Sequence, residues 1–253
     1  MLYEEIRMHN ETQKVAVVTG ASRGIGGAIA ERLSRDGFMV AINFAGSAAQ
    51  AHALAQKIGK AGGIAFPIQA DVSDPVAVHD MFDMVEARFG GIDVLINNAG
   101  IQNLAPLAEM TNAAFDSMIA INLKGVFNTL REAARRIRPG GRIINLSSGT
   151  TATLSPSYGP YAATKAAVDV LTAILAKEMR GRAVTVNGIA PGPTATDLYL
   201  KDKSPEMLSQ AANRSPLERL GQPADIAGAV SFLAGPDGEW VNGQTIRVNG
   251  GFS

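Results

Sequence analysis

The chain has 253 residues, 46% of them apolar and 18% charged, with 23 Lys plus Arg against 23 Asp plus Glu. Such a length buries a large core in one α/β domain, and this composition argues against disorder. The balanced charge argues against a broad nucleic-acid surface, the absence of cysteine excludes disulfides and thiolate chemistry, and His9, His52 and His79 lack metal-ligand spacing.

Residues 1–13 are polar and mixed in charge and read as an extension outside the fold. The organised chain starts at Lys14. Val15 to Thr19 is a short buried strand, followed by Gly20-Ala-Ser-Arg-Gly24-Ile-Gly26 and a helical stretch ending near Gly37. Strand, glycine turn and helix is the context that binds phosphate at a helix N-terminus. Gly20 permits the turn, Gly24 the approach of a pyrophosphate, and Gly26 close helix–strand packing. Phe38 to Asn43 reads as the second strand. An acid at its end would bind a ribose 2′-hydroxyl. Here Asn43 is neutral, Arg23 stands ready for a 2′-phosphate, and Ser47 can add a hydrogen bond, so NADP(H) is expected over NAD(H).

The unit repeats. A helix spans Ala48 to Ala61, a strand Ile64 to Ala70, and a further helix starts at Asp74-Pro75, where Asp74 can cap and Pro75 suits the first turn. Ile92 to Ile96 is the fourth strand, closed by Asn97-Asn98-Ala99-Gly100, a turn suited to an adenosine ribose. A long helix over Thr111 to Arg138 carries Asn122 among apolar residues, where an amide needs partners. Gly141 to Ser147 is a strand, 158–180 a helix, Ala183 to Ile189 a strand, Pro223 to Leu233 a helix and Gln244 to Val248 a last strand. The polar stretch within 192–215 reads as a partly helical lid over the pocket. Alternating strands and helices at this period predict a single-domain α/β fold of the Rossmann type, a doubly wound parallel sheet of about seven strands with helices on both faces.

Chemistry concentrates at Ser148, Tyr161 and Lys165. Tyr161 and Lys165 are four residues apart, which on a helix puts phenol and ammonium on one face. A phenol ionises near pH 10, and bringing it to pH 7 takes about 4 kcal/mol. A lysine charge about 4 Å away supplies about that much at an effective dielectric of about 20. Tyr199 and Lys203 share the spacing, but they lie in a polar loop with no strand-end serine upstream.

Taken in order, Thr19-Gly20-x-x-x-Gly24-Ile25-Gly26, Asn97-Asn98-Ala99-Gly100, Asn122, Ser148, Tyr161-x-x-x-Lys165, Pro191-Gly192 and Thr196 resemble the short-chain dehydrogenase/reductase family from about residue 14 to the C-terminus. Within it the chain looks most like the 3-oxoacyl-[acyl-carrier-protein] reductases and NADP-dependent ketone reductases. The resemblance implies hydride transfer between NADP(H) and a carbonyl or secondary alcohol, with Tyr161 as general acid/base and Ser148 bonding the substrate oxygen. It implies that Lys165 lowers the tyrosine pKa and holds the nicotinamide ribose, and that Asn122 holds a water in a proton relay.

It further implies that Asp71 and Val72 flank the adenine. Ser22, Ile25, Asn98, Ala99, Gly100, Pro191 and Gly192 are then cofactor contacts, and Thr194 and Thr196 meet the nicotinamide amide or the phosphates. An acyl-carrier-protein-linked substrate would dock on Arg138 and Arg182, although Pro139 stands where another arginine is expected. A non-catalytic nucleotide sensor on the same fold is the competing reading; such proteins typically lose the tyrosine or the lysine, and both are present. A sugar epimerase or dehydratase would need a longer C-terminal domain.

Small or apolar residues on several faces of the two long helices, Ala162, Ala163, Ala166 and Ala167 among them, lead to an expected homotetramer. The lack of a membrane-length apolar run or signal peptide leads to an expected cytoplasmic protein without membrane or nucleic-acid partners.

Overall fold

Seven short strands, none containing an acid, form one sheet in this computed structural model, which describes residues 13–201 and 203–253. The expected N-terminal extension lies outside the described residues except for Gln13, whose amide donates to the Gly37 carbonyl at 2.7 Å. The strands are β1 (Val15–Val18), β2 (Met39–Phe44), β3 (Ala65–Gln69), β4 (Val94–Asn97), β5 (Arg142–Leu146), β6 (Thr185–Pro191) and β7 (Thr245–Val248). Their order is β3-β2-β1-β4-β5-β6-β7 and every pairing is parallel. Strand order reverses between β1 and β4, where an open α/β sheet leaves a ligand crevice at its C-terminal edge.

Parallel strands are covered on both faces, so β1, β2, β4 and β5 are buried along their whole length. One face packs on α1 (Gly24–Arg35), α2 (Ala48–Lys60) and α10 (Pro223–Ala234) through Ile29, Leu33, Leu54, Ile226 and Val230. The other packs on α3 (Pro75–Phe89), α5 (Val126–Arg136) and α7 (Gly159–Glu178) through Met81, Phe82, Leu130, Val168 and Leu175. The doubly wound arrangement is the one the sequence period requires. Asp74 caps α3 by accepting from Val76 N at 2.8 Å, with Pro75 in the first turn.

Four local details differ from the sequence reading. The long helix is α4 (Asn112–Met118), a π-helical turn (Ile119–Gly125) and α5, not one regular helix. It ends at Arg136 rather than Arg138. The Arg182 guanidinium donates to the Ala134 and Ile137 carbonyls there, and Arg138 turns away to Asp93, 3.1 Å distant. Both arginines expected to dock a carrier protein are therefore committed within the fold. A short helix, α6 (Thr150–Thr153), also follows β5, and β6 runs on through Pro191. The segment after it holds α8 (Asp197–Leu200) and α9 (Pro205–Asn213). No helix among the described residues is long and apolar enough to cross a membrane.

Candidate active site

The glycine turn after β1 is fixed from the neighbouring strand. Thr19 Oγ1 accepts from Asn98 N and Ala99 N, each at 3.0 Å, and Asn98 Nδ2 donates to the Thr19 and Gly20 carbonyls at 2.9 and 3.0 Å. Gly20 has φ +59°, and a Cβ there would lie 2.8 Å from Ala99 Cα. A Cβ on Gly26 would lie 2.4 Å from Asn98 Nδ2, so this glycine makes room for the asparagine that shapes the turn. Asn98 thus acts on the turn with its amide, and only its remaining surface faces a ligand.

Asn43 differs from expectation in the same way. It is buried, its Oδ1 accepts from Gly20 N at 3.2 Å, and its Nδ2 donates to the Ala70 and Ile68 carbonyls at 3.0 and 3.4 Å. It borders the crevice but ties the turn to β2 and β3. Beyond Phe44 the chain continues as Ala45, Gly46 and Ser47 along the crevice, and Ser47 stands at the N-terminus of α2 without a side-chain cap bond. Arg23 opens α1, is exposed, and forms no ion pair among the described residues.

Ser148 follows β5, and Tyr161 and Lys165 share one face of α7. Lys165 is buried and its Nζ donates to the Leu146 carbonyl at 2.7 Å while lying 5.8 Å from the Tyr161 ring centroid. Burial pulls its pKa down to about 8, against the smaller opposing effect of the Asp169 charge. Loss of water around the phenol pushes Tyr161 up to about 12; the Ser148 hydroxyl acts the other way, and Tyr158 adds to the rise. The expected lowering of Tyr161 by Lys165 is not among these effects, of which burial is the largest. Desolvation is the largest effect on both groups, and the ammonium donates to the Leu146 carbonyl.

These shifts set a pH dependence. The unfolded chain keeps the Lys165 proton from pH 8 to 10.5 while the folded chain gives it up, so stability rises with pH across that window. Tyr161 keeps its proton longer when folded, so its contribution is complete below pH 10 and is lost as pH rises through 12. The ligand-free protein should show its highest denaturant midpoint near pH 10, and Lys165→Met should remove the rise from pH 8. A midpoint that falls steadily from pH 8 in the unmodified protein would contradict this.

Asn122 sits in the π turn, a distortion that re-aims side chains and is frequent at functional sites. Its Oδ1 accepts from Ile101 N and its Nδ2 donates to the Ile101 carbonyl, both at 2.8 Å. The side chain clamps the strand-end loop. A Cβ on Gly100 would lie 3.3 Å from Asn122 Oδ1 and 3.7 Å from Lys165 Nζ, so both side chains lie close to that loop.

One cavity of about 680 Å³ joins these parts. Every residue read from the sequence as catalytic or cofactor-binding lines it except Asn122. A family model described as Enoyl-(Acyl carrier protein) reductase matches residues 20–253. The chain is 44% identical over 254 residues to an "NADPH-dependent aldehyde reductase-like protein, chloroplastic" from Arabidopsis thaliana, covering 94% of each. It is also 44% identical over 240 residues to the 3-oxoacyl-[acyl-carrier-protein] reductase of Staphylococcus aureus, covering 94% of this chain and 97% of that one. A short chain dehydrogenase from Burkholderia cenocepacia solved in complex with NADP superposes with a TM-score of 0.90 at 39% identity, over 94% of this chain and 97% of that one.

The chain belongs to the short-chain dehydrogenase/reductase family. It is an oxidoreductase of that family, and most of the residues that resemblance singled out, though not Asn122, line the one cavity. Sequence reasoning missed a second group on the short-chain dehydrogenase/reductase cavity wall. Ser147 and Thr150 contribute buried hydroxyls without hydrogen-bond partners among the described residues. Tyr158 and Phe252 line the cavity too, beside Leu198, Tyr199 and Arg214 from the segment expected as a lid. The doubled serine at the end of β5 was the available signal for Ser147; the others converge from segments with no local motif.

Proposed function

We propose that this chain is an NADP(H)-dependent carbonyl reductase in which Tyr161 is the general acid/base. The observation that carries this is the single cavity shared by the glycine turn and the Ser148, Tyr161 and Lys165 group. The residues fit a dinucleotide. The turn leaves no room for side chains at Gly20 and Gly26, α1 starts without a side-chain cap or an acid, and Ser147 and Thr150 hold unpaired hydroxyls on the wall.

The nicotinamide supplies or takes the hydride. Everything else falls to side chains. Ser148 bonds the substrate oxygen and stabilises charge developing on it. Tyr161, protonated across the neutral range, delivers its proton to that oxygen, so the site is poised for reduction. Lys165 holds the ribose hydroxyls with the N–H groups that Leu146 does not use. Asn122 fixes Ile101 and thereby the floor under Lys165. Asp71 and Val72 flank the adenine, Thr194 and Thr196 meet the phosphates or the carboxamide, and the 192–215 segment closes over the substrate. The test is NADPH oxidation with a panel of β-keto esters, diketones, sugars and an acyl-carrier substrate. No carbonyl-dependent oxidation with any of them would favour the sensor reading.

Selectivity for the 2′-phosphate rests on Arg23 and Ser47, with no acid beside them at the end of β2. Because Arg23 is exposed, its contact belongs at the lower end of charge-assisted bonds, about tenfold in affinity. Arg23→Ala should weaken NADPH by about that factor and leave NADH nearly unchanged, read as kcat/KM with both cofactors. Equal weakening of both would remove Arg23 from the phosphate.

A homotetramer is the proposed assembly. Phe127 on α5 and Val170 and Ile174 on α7 are exposed apolar side chains on helices whose other faces are buried against the sheet. Such a face needs cover, and an isologous contact between copies supplies it. Light scattering at micromolar concentration should give four chains; a monomer mass would refute it.

A further inference from the structure

Beside the groups already described, the cavity wall carries a cation with no anion partner among the described residues. Arg214 follows the last residue of α9 and lines the cavity. Its side chain makes no hydrogen bond or ion pair among the described residues. It is placed by stacking, with the guanidinium carbon 4.4 Å from the Phe252 ring centroid. A stacked guanidinium has its face covered and its in-plane N–H fork open, which is the geometry that takes a carboxylate with two parallel bonds. An arginine beyond a helix C-terminus can instead bond the last carbonyls, but here none accepts from it.

The cation and the reacting centre share one cavity, since Tyr158, Tyr161, Tyr199 and Arg214 all line it. The two acids on the cavity lie elsewhere. Asp71 accepts from Ser73 N and Oγ beside Val72. Asp197 follows Thr196, whose methyl lies 3.6 Å from where a Cβ on Gly24 would stand. Neither pairs with Arg214.

We propose that Arg214 anchors a carboxylate at the far end of the carbonyl substrate, so that oxo acids, with the ketone several bonds from the acid, are taken in preference to neutral ketones. This rests on the carbonyl-reductase reading above. The test compares 4-oxopentanoate and 5-oxohexanoate with their methyl esters, using the full-length protein and NADPH at pH 7. For the better chain length, kcat/KM should favour the acid over its ester by about tenfold. Arg214→Leu should bring that ratio close to one, Arg214→Lys should retain part of it, and added salt should shrink it in the unmodified protein.

An ester preferred by the unmodified protein, or a ratio untouched by Arg214→Leu, would overturn the anchor. Turnover of neutral ketones without an acid preference would sink this inference alone. No oxidation of NADPH with any carbonyl would sink the reductase reading and this one with it.

Discussion

Tyr161→Phe should lower kcat for carbonyl reduction by about a thousandfold or more and leave NADPH binding nearly intact. The phenolic hydroxyl is all that is removed, and the ring on the cavity wall remains. Tyr158 and Tyr199 also line the cavity, and burial raises the pKa of both, so protonation state does not single out the acid. Position does. Tyr161 alone has the Ser148 hydroxyl at its phenol and a buried lysine one turn further along its helix. The Lys203 ammonium lies over the Tyr199 ring at 4.2 Å and donates to the Tyr199 carbonyl at 2.7 Å, which supports the backbone of α8 rather than a proton relay.

A phenol held near pKa 12 is fully protonated at neutral pH. Reduction, which consumes that proton, should stay level between about pH 6 and 9, while oxidation of the product alcohol, which needs the phenolate, should rise with pH. Stopped-flow single turnovers separate this step from product release. Turnover retained in Tyr161→Phe but lost in Tyr199→Phe would move the acid to the other tyrosine.

What could be read in the sequence was what the chain determines locally. Strand, glycine turn and helix are fixed within about 20 residues by buried β-branched runs, by Gly20 at positive φ and by the helix that follows. The alternation of such units determined the sheet, and the i, i+4 pair on α7 determined that Tyr161 and Lys165 share a face. Side-chain direction was not local. Lys165 turned to the Leu146 carbonyl because β5 passes beneath α7, a fact of tertiary packing. Arg182 looked like a docking residue, yet the end of α5 offered it two unpaired carbonyls. The π turn carries no composition signal that separates it from the α-helix around it. Arg214 and Phe252 met because the chain's last residues fold back beside α9, 38 positions after Arg214 in sequence.

Asn43→Asp should destabilise the fold rather than exchange one cofactor for another. An acid at the end of β2 would repel a 2′-phosphate if its carboxylate faced the crevice, and the sequence suggests that outcome. The structure instead buries this side chain, with Nδ2 donating to the Ala70 and Ile68 carbonyls and Oδ1 accepting from Gly20 N. In the aspartate, one oxygen would keep the Gly20 bond and the other would face two carbonyl oxygens about 3 Å away, out of water. An unmatched buried charge costs about 3 kcal/mol or more, a large fraction of the stability of a domain. The cheapest escape is protonation, because a neutral carboxyl can donate to the Ala70 carbonyl. The aspartate's pKa is then raised in the folded state, so the variant recovers stability as pH falls and loses it as pH rises through that pKa. Thermal unfolding should therefore show the variant well below the unmodified protein at pH 8, with a smaller gap at pH 5. Equal unfolding temperatures at pH 8, together with a clear gain in NADH over NADPH, would show that Asn43 faces the cofactor after all. In that case Asn43 would join Arg23 and Ser47 in selecting the phosphate.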